Sequence, residues 1–70
     1  MLKEKVTYLI ALIAEFAHRY GISDIEAARY MNKYHATELC YKHYNIMHTL
    51  SFADNIDAIA TYCQRQGGNL

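Results

Sequence analysis

Apolar residues recur at steps of three and four along most of the chain, and this spacing predicts helices rather than strands. The longest such series is Leu2, Val6, Leu9, Ile13, Phe16 and Tyr20. It predicts a first helix from about Lys3 to Tyr20, with Gly21 in the left-handed position that ends many helices. Tyr8 and Leu12 form a second apolar strip beside that series, so this helix is apolar on more than one side.

The second strip needs a cover, either from another helix of the same chain or from a second subunit. A chain of 70 residues buries a small fraction of its surface, and small folds often gain stability by association. We therefore predict a homodimer with a two-fold contact, the commonest oligomer interface. Tyr8 and Leu12 are the residues expected to make this contact.

The second helix has the sharpest start signal in the sequence. Ser23 is followed three residues later by Glu26, the spacing of a capping box. In that arrangement each side chain accepts a hydrogen bond from the backbone N–H of the other residue. The apolar positions that follow predict a helix ending between Lys33 and His35.

Two further helices follow from the remaining pattern. Thr37 is the expected cap of a third helix that runs to about Thr49, and Ser51 with Asp54 starts a fourth that ends near Arg65. The absence of proline leaves few residues to interrupt these segments. The sequence therefore predicts an all-α fold, a compact bundle of four short helices.

The apolar stripes also predict the domain and its core. Residues 1–66 should form a single helical domain, and residues 67–70 a flexible C-terminal tail. The expected core positions are Val6, Leu9, Ile13, Phe16, Ile25, Leu39, Ile46, Ile56 and Ile59.

Composition and charge narrow the classes of function. Seven Lys and Arg balance seven Asp and Glu, so no broad field attracts nucleic acid or an anionic membrane. The longest unbroken apolar run, Tyr8 to Ala14, is far shorter than the roughly 20 residues that a membrane-spanning helix needs. Without a signal-peptide pattern at its start, the chain is expected to be soluble and cytoplasmic.

Four histidines and two cysteines raise the question of a zinc site. His43 and His48 are five residues apart, which separates them by about 140° on a helix. The best set would be Cys40, His43 and Cys63, but we expect the cysteines to be core residues and His43 a hydrogen-bonded core histidine. We predict no metal and no cofactor, with a Cys40–Cys63 disulfide as the less favoured alternative.

The sequence also lacks the patterns that enzymes of common classes carry. It has no glycine-rich phosphate loop and no pair of carboxylates at working distance, and both cysteines fall on predicted buried faces. We therefore predict that the chain is not an enzyme.

Tyrosine is the most unusual part of the composition, with seven among 70 residues. A tyrosine can bury its ring while its hydroxyl stays in water, so many of them can simply border the core. Tyr30 and Tyr41 fall off the apolar stripes, and Tyr41 shares a predicted helix face with Asn45 and His48. Because tyrosine is enriched in protein interfaces, Tyr41, Asn45, His48 and Tyr30 are the residues predicted to bind a protein partner.

The alternative function is a DNA-binding regulator of the helix-turn-helix kind, formed by residues 22–48. The charges count against it, because phosphate contacts need a clustered surplus of Lys and Arg. Here the basic residues Arg29, Lys33 and Lys42 are offset by the acidic residues Asp24, Glu26 and Glu38. The joint also lacks the glycine typical of such turns.

Three segments carry a resemblance to a known family: Tyr44–Phe52, Asn55–Asp57 and Cys63–Gly68. They resemble the small bacterial family called domain of unknown function 3791, whose members have a Tyr-x-x-x-His-Thr stretch, a later acidic position and often a Gly-Gly tail. Lys5–Val6 and Ala27–Met31 are similar to it too. Asn55 departs from the family pattern, in which this stretch is more acidic.

The resemblance implies a role without defining an activity. Genes of this family often neighbour genes for ADP-ribosyltransferase-like proteins, an arrangement that resembles a toxin with its small partner. The expected function is therefore a small non-catalytic protein-binding module, an antitoxin-like or accessory partner of such a protein.

Overall fold

The computed structural model describes residues 2–70, and over those residues it contains five helices and no strand. The helices are α1 (Leu2–Tyr20), α2 (Asp24–Lys33), α3 (Ala36–Lys42), α4 (Tyr44–Met47) and α5 (Phe52–Arg65). The predicted all-α bundle is confirmed. Its number of helices changes from four to five because the third predicted helix is divided.

Helix α1 is the spine of the molecule. Its 19 residues rise about 28 Å, nearly the 31 Å of the longest molecular axis. Helices α2, α3 and α5 all pack against it. It ends as predicted at Gly21, whose φ is +64°, and the Ile22 N–H donates to the Ala17 carbonyl at 3.0 Å.

The two serine caps form as the sequence predicts. The Ser23 hydroxyl accepts from the Glu26 N–H at 3.1 Å, and the Glu26 carboxylate accepts from the Ser23 N–H at 3.0 Å. The Ser51 hydroxyl likewise accepts from the Asp54 N–H at 3.1 Å. These bonds satisfy N–H groups that have no partner inside a helix, and they fix the starts of α2 and α5.

The third predicted helix, Thr37 to Thr49, is wrong in both its start and its continuity. The chain turns at His35, which is left-handed with φ +65°, and α3 begins one residue later. The Thr37 hydroxyl is buried and has no hydrogen-bond partner among residues 2–70, so it does not cap α3. The break between α3 and α4 lies at His43, which is exposed rather than a core histidine.

Periodicity alone could not reveal this break. The His43 N–H still donates to the Leu39 carbonyl, and the Met47 N–H donates to the His43 carbonyl, both at 3.0 Å. These two bonds end α3 and begin α4, while the Ile46 N–H donates to the His43 carbonyl three residues back, at 3.1 Å. The break is one residue long, so the apolar spacing continues across it. The backbone angles of His43, φ −104° and ψ 22°, depart from a helix.

The core lies where α1, α2, α3 and α5 meet. Its buried hydrophobic residues are Leu12, Phe16, Ala17, Ala27, Met31, Ala36, Cys40, Met47, Ile56, Ile59, Ala60 and Cys63. Phe16, Ile56 and Ile59 confirm the prediction, and Leu9 and Ile13 pack against the core while partly exposed. Much of the remainder consists of alanine, methionine and cysteine, so this small core is built largely from side chains of modest size.

Three predicted core residues are on the surface. Val6 is 43% exposed, and Ile25 and Ile46 are each 64% exposed. Ile25 lies on the side of α2 opposite the buried Ala27 and Met31, and Ile46 precedes the residue of α4 that is buried. An apolar stripe can extend beyond the region that the neighbouring helices cover. In a bundle of short helices, part of each stripe therefore stays exposed.

The self-association contact predicted for Leu12 is also corrected. Leu12 is completely buried within one chain, so it is unavailable to a second subunit. Tyr8 is half-buried and stacks on Phe52, with ring centroids 5.9 Å apart. The second strip of α1 is therefore covered within the chain, with α5 covering Tyr8, which is the alternative that the sequence left open.

The segment predicted as a flexible tail is attached to the domain. The Gly68 N–H donates to the Cys63 carbonyl at 2.9 Å, and the Leu70 N–H donates to the Tyr30 hydroxyl at 3.0 Å. A Cβ atom at Gly68 would meet that same hydroxyl, so only glycine allows this close approach. The missing side chain of Gly68 lets the C-terminal segment pack against Tyr30.

Candidate functional site

The most prominent uncovered feature is a row of aliphatic side chains on the first turns of α1. Leu2 and Ile10 are each 64% exposed, and Val6 between them is 43% exposed. Residues four apart lie on the same side of a helix, so these three side chains form a continuous ridge. We call Leu2, Val6 and Ile10 the α1 strip.

The α1 strip is uncovered because α2 is too short to reach it. Helix α2 has 10 residues, a rise of about 15 Å, against about 28 Å for α1. It follows the end of α1 after a three-residue connection and packs back along the second half, where Tyr30 stacks on Phe16 with ring centroids 5.9 Å apart. The first turns of α1 extend beyond its end.

Lysines border the α1 strip. Lys3 and Lys5 lie within the same turns, and the Lys5 ammonium is 4.9 Å from the centre of the Tyr41 ring. That distance is within the range of a cation–π interaction. Tyr41, which is 39% exposed, therefore extends the apolar surface beside Lys5.

A buried polar junction holds α4 and the start of α5 against α1. The Asn55 amide, in a residue only 2% exposed, donates to the Tyr8 hydroxyl at 2.6 Å and to the Met47 carbonyl at 2.7 Å. The Tyr8 hydroxyl also donates to that carbonyl at 3.2 Å. Burial raises the pKa of Tyr8, and its phenol stays neutral at physiological pH.

The partners of this junction could not be predicted from the sequence, because Tyr8 is 39 residues from Met47 and 47 residues from Asn55. One signal was present in the form of an asparagine within an otherwise apolar period. Asn55 is buried between the exposed Asp54 and the buried Ile56. A buried amide needs partners, so its position indicates a specific polar contact.

The predicted contact residues Tyr41, Asn45 and His48 do not share one continuous helix face. Tyr41 belongs to α3 and Asn45 to α4, on opposite sides of the break at His43. His48 is exposed, stacks on Tyr44 with ring centroids 4.6 Å apart and hydrogen-bonds the Tyr44 carbonyl through Nδ1 at 2.7 Å. Of the three, only Tyr41 has a contact with the surroundings of the α1 strip.

Tyr30 is not the free surface contact that its position off the apolar stripe predicted. It is half-buried between Phe16 and Tyr34, and its hydroxyl accepts the Leu70 N–H. Its role in binding a partner stays a prediction, but its surroundings were not predicted, because a helical stripe indicates only contacts between helices. The C-terminal segment that covers Tyr30 is irregular and leaves no periodic signal.

The two cysteines are free thiols inside the core, and neither is exposed. Burial raises the pKa of Cys40 to about 12, with a smaller contribution from the nearby Cys63, whose pKa burial also raises. At neutral pH both are thiols rather than thiolates. Since the thiolate is the nucleophile and metal ligand, neither residue is prepared for such chemistry.

A shallow cleft lies between α1 and α5, with a volume of about 220 Å³. Its lining residues are Glu15, His18, Arg19, Phe52, Ala53 and Ile56. The Arg19 guanidinium pairs with Asp57 rather than facing an open site. The volume is below the roughly 300 Å³ at which ligand pockets begin.

The described residues contain neither a cluster of metal ligands nor a membrane-spanning helix. Within residues 2–70, no three His, Cys, Asp or Glu side chains come together in a way that could hold a metal ion. No helix of the described part is both long enough and apolar enough to cross a membrane.

Comparison with known proteins gives one match. The model of the family described as "Protein of unknown function (DUF3791)" matches residues 7–66. The chain belongs to this family. A search of the curated proteins and a search of the solved structures each found no match.

The DUF3791 match covers most of the fold but only part of the α1 strip. Ile10 and Tyr41 lie inside the matched residues, whereas Leu2 and Val6 precede them. The polar junction of Tyr8, Met47 and Asn55 is entirely inside. The matched residues thus include the contacts that hold α1 against α4 and α5.

Proposed function

We propose that this DUF3791 protein is a non-catalytic binding module that recognises another protein through the α1 strip. The observation that supports the proposal is the exposure of three large aliphatic side chains on successive turns of one helix. Full burial of each would contribute roughly 1.5–3 kcal/mol, a strong drive for association. Adjoining apolar residues on a soluble protein commonly mark an interaction site.

The shape of this surface favours a macromolecule over a small ligand. The α1 strip is a convex ridge on a helix, whereas small molecules bind in concave pockets that enclose most of their surface. A protein partner can bury a convex ridge by supplying the groove. Tyr41 beside it is the kind of residue that is enriched in protein interfaces.

The family resemblance supplies a candidate partner. We propose an ADP-ribosyltransferase-like protein encoded beside this gene, with the DUF3791 protein as its antitoxin-like or accessory subunit. This choice rests on the resemblance, while the choice of surface rests on the structure. The two parts can therefore be tested separately.

The experiment is co-expression of the tagged chain with the neighbouring gene product, followed by affinity purification and gel filtration. Ile10→Glu places a charge in the α1 strip, and Ile25→Glu is its matched control. Both isoleucines are 64% exposed on helices, but Ile25 lies on α2 away from the strip. We expect the wild type and Ile25→Glu to form a complex that Ile10→Glu loses, with circular dichroism confirming that both variants fold.

The outcomes separate the surface from the partner. Equal recovery of the complex with both variants would show that the α1 strip is not the binding surface. Failure of the wild type to bind the neighbouring product would reject that partner. The same two variants, compared by mass spectrometry of proteins purified from the native cells, would then test protein binding without a chosen partner.

A further inference from the structure

We infer that the partner of the α1 strip presents an amphipathic helix whose apolar residues are flanked by acidic side chains. This inference rests on the proposed function and adds the chemistry of the partner to it. Three observations carry it: the shape of the strip, the charges along its edges and the positions of the acidic residues of α1.

The shape of the α1 strip matches a helix. Leu2 and Ile10 are eight residues apart, so the ridge is about 12 Å long and straight. Ridges of residues four apart pack into the grooves between such ridges on another helix. Two to three turns of a partner helix, with apolar residues at three- and four-residue steps, would cover it.

The edges of the strip are positive. At about 100° per residue, the strip occupies about 80° of the helix circumference. Lys3 projects about 20° beyond the side of Ile10, and Lys5 about 60° beyond the side of Leu2. The Lys5 ammonium lies over the ring of Tyr41, so the positive edge on this side continues to α3.

The acidic residues of α1 point the other way. By the same helical geometry Glu4 projects about 160° and Glu15 about 180° from Val6. The surroundings of the strip are therefore basic although the whole chain has no net charge. A partner helix with Glu or Asp beside its apolar residues would pair with these lysines, which favours that partner in orientation and rate of association.

A membrane surface fits the observations less well. Helices that lie on membranes carry an extended face rich in Lys and Arg, whereas this strip has two lysines at its edges. The side of α1 next to the strip is also occupied by the core residues Leu12 and Phe16, so the helix is not free to embed. We therefore commit to a protein helix and treat a membrane as an outcome of the test.

The test uses two synthetic helical peptides with the same apolar stripe of leucines, one with glutamates at the flanking positions and one with lysines. Each is added to the ¹⁵N-labelled full chain, and amide shifts are followed by NMR. We expect the acidic peptide to shift the amides of residues 2–10 and Tyr41, and the basic peptide to bind at least tenfold more weakly.

Charge reversal supplies the matched control. The Lys5 ammonium is 4.9 Å from the centre of the Tyr41 ring, and the Lys33 ammonium is 5.4 Å from the centre of the Tyr34 ring, so each lysine lies over a tyrosine. Lys5→Glu and Lys33→Glu change the net charge equally. We expect Lys5→Glu to weaken binding of the acidic peptide roughly tenfold, and Lys33→Glu to leave its affinity nearly unchanged.

Several results would overturn the inference. These are equal binding of both peptides, no binding of either peptide, shifts that map away from α1, or an equal effect of Lys33→Glu. Shifts induced by vesicles of phosphatidylserine and phosphatidylcholine, and by neither peptide, would instead assign the strip to a membrane. If the acidic peptide does not bind more tightly than the basic one while Ile10→Glu still abolishes the protein complex, the proposed function stands. Only the inferred chemistry of the partner would then be wrong.

Discussion

Leu12 and Ile10 differ by two positions along α1 and have opposite surroundings. Leu12 is completely buried, whereas Ile10 is 64% exposed. We expect Leu12→Ala to lower the free energy of unfolding by about 2–5 kcal/mol, because it removes apolar contacts and leaves a cavity. Ile10→Ala should change it by less than about 0.5 kcal/mol. Urea denaturation of both variants measures this, and similar losses would contradict the assignment of the two faces.

The buried amide of Asn55 has an equally direct test. Asn55→Ala removes the donor to Tyr8 and to the Met47 carbonyl, and we expect it to cost about 1–3 kcal/mol in the free energy of unfolding. Asn45→Ala is the control, since Asn45 is exposed on α4. If Asn55→Ala unfolded no more readily than Asn45→Ala, the junction would not hold α4 and α5 against α1.

At the scale of an element, the start of α2 predicts a pH dependence. Hydrogen bonds from Ser23 lower the pKa of Glu26 below its ordinary value of 4.5. A carboxyl with a lowered folded-state pKa stabilises the fold above its ordinary pKa, and this contribution is lost as the pH falls through the folded-state pKa. Glu26→Gln should therefore lose less stability than the wild type between pH 5 and pH 3 in urea titrations. Identical acid dependence of both proteins would mean that the capping carboxylate does not affect stability.

The elements also show how far the sequence predicts this fold. The helix ends marked by local chemistry, Gly21, Ser23 and Ser51, are where the sequence predicts them, because each signal acts within a few residues. The break at His43 and the docking of Gly68 on Tyr30 were not predictable in this way. The docking of Gly68 depends on Tyr30, which is distant in sequence, and the break at His43 is not marked by a glycine or proline.

The same difference explains the candidate site. Periodicity identified the apolar residues of α1 but not which of its two strips would be covered. Leu12 is buried in the core and Val6 is 43% exposed, because the packed helices cover one side of α1 while α2 is too short to cover the other. An apolar strip can be identified from the sequence of one helix, whereas its exposure depends on the lengths of the neighbouring helices.

At the scale of the whole molecule, the core predicts inert cysteines. Cys40 and Cys63 are completely buried, and burial raises the pKa of Cys40 from 9.0 to about 12. A thiol-reactive dye at pH 8 should therefore label the native protein only as fast as it unfolds. Rapid labelling without denaturant would contradict the burial of these thiols.

The raised pKa of Cys40 also predicts that the free energy of unfolding falls as the pH rises from about 9 toward 12. A raised folded-state pKa stabilises the fold only below that range.

Self-association stays a prediction, but its expected contact changes. Leu12 belongs to the core, so Leu12→Glu should unfold the chain rather than separate two subunits. A second copy bound to the α1 strip would compete with the proposed partner for the same surface. Light scattering of the wild type beside Ile10→Glu measures this, and a dimer that survives Ile10→Glu would place the contact elsewhere.

The helix-turn-helix alternative for α2 and α3 also stays a prediction. A steep salt dependence of binding to duplex DNA would support it.

The central claim is that another protein covers the α1 strip inside the cell. The most direct measurement is photo-crosslinking in the native cells, with a benzoylphenylalanine placed at Ile10 in one strain and at Ile25 in another, since the two positions are equally exposed. We expect one discrete crosslinked protein from the Ile10 position, in lower yield with Lys3→Glu, and no such product from the Ile25 position. Equal crosslinking from both positions, or none from Ile10, would contradict it.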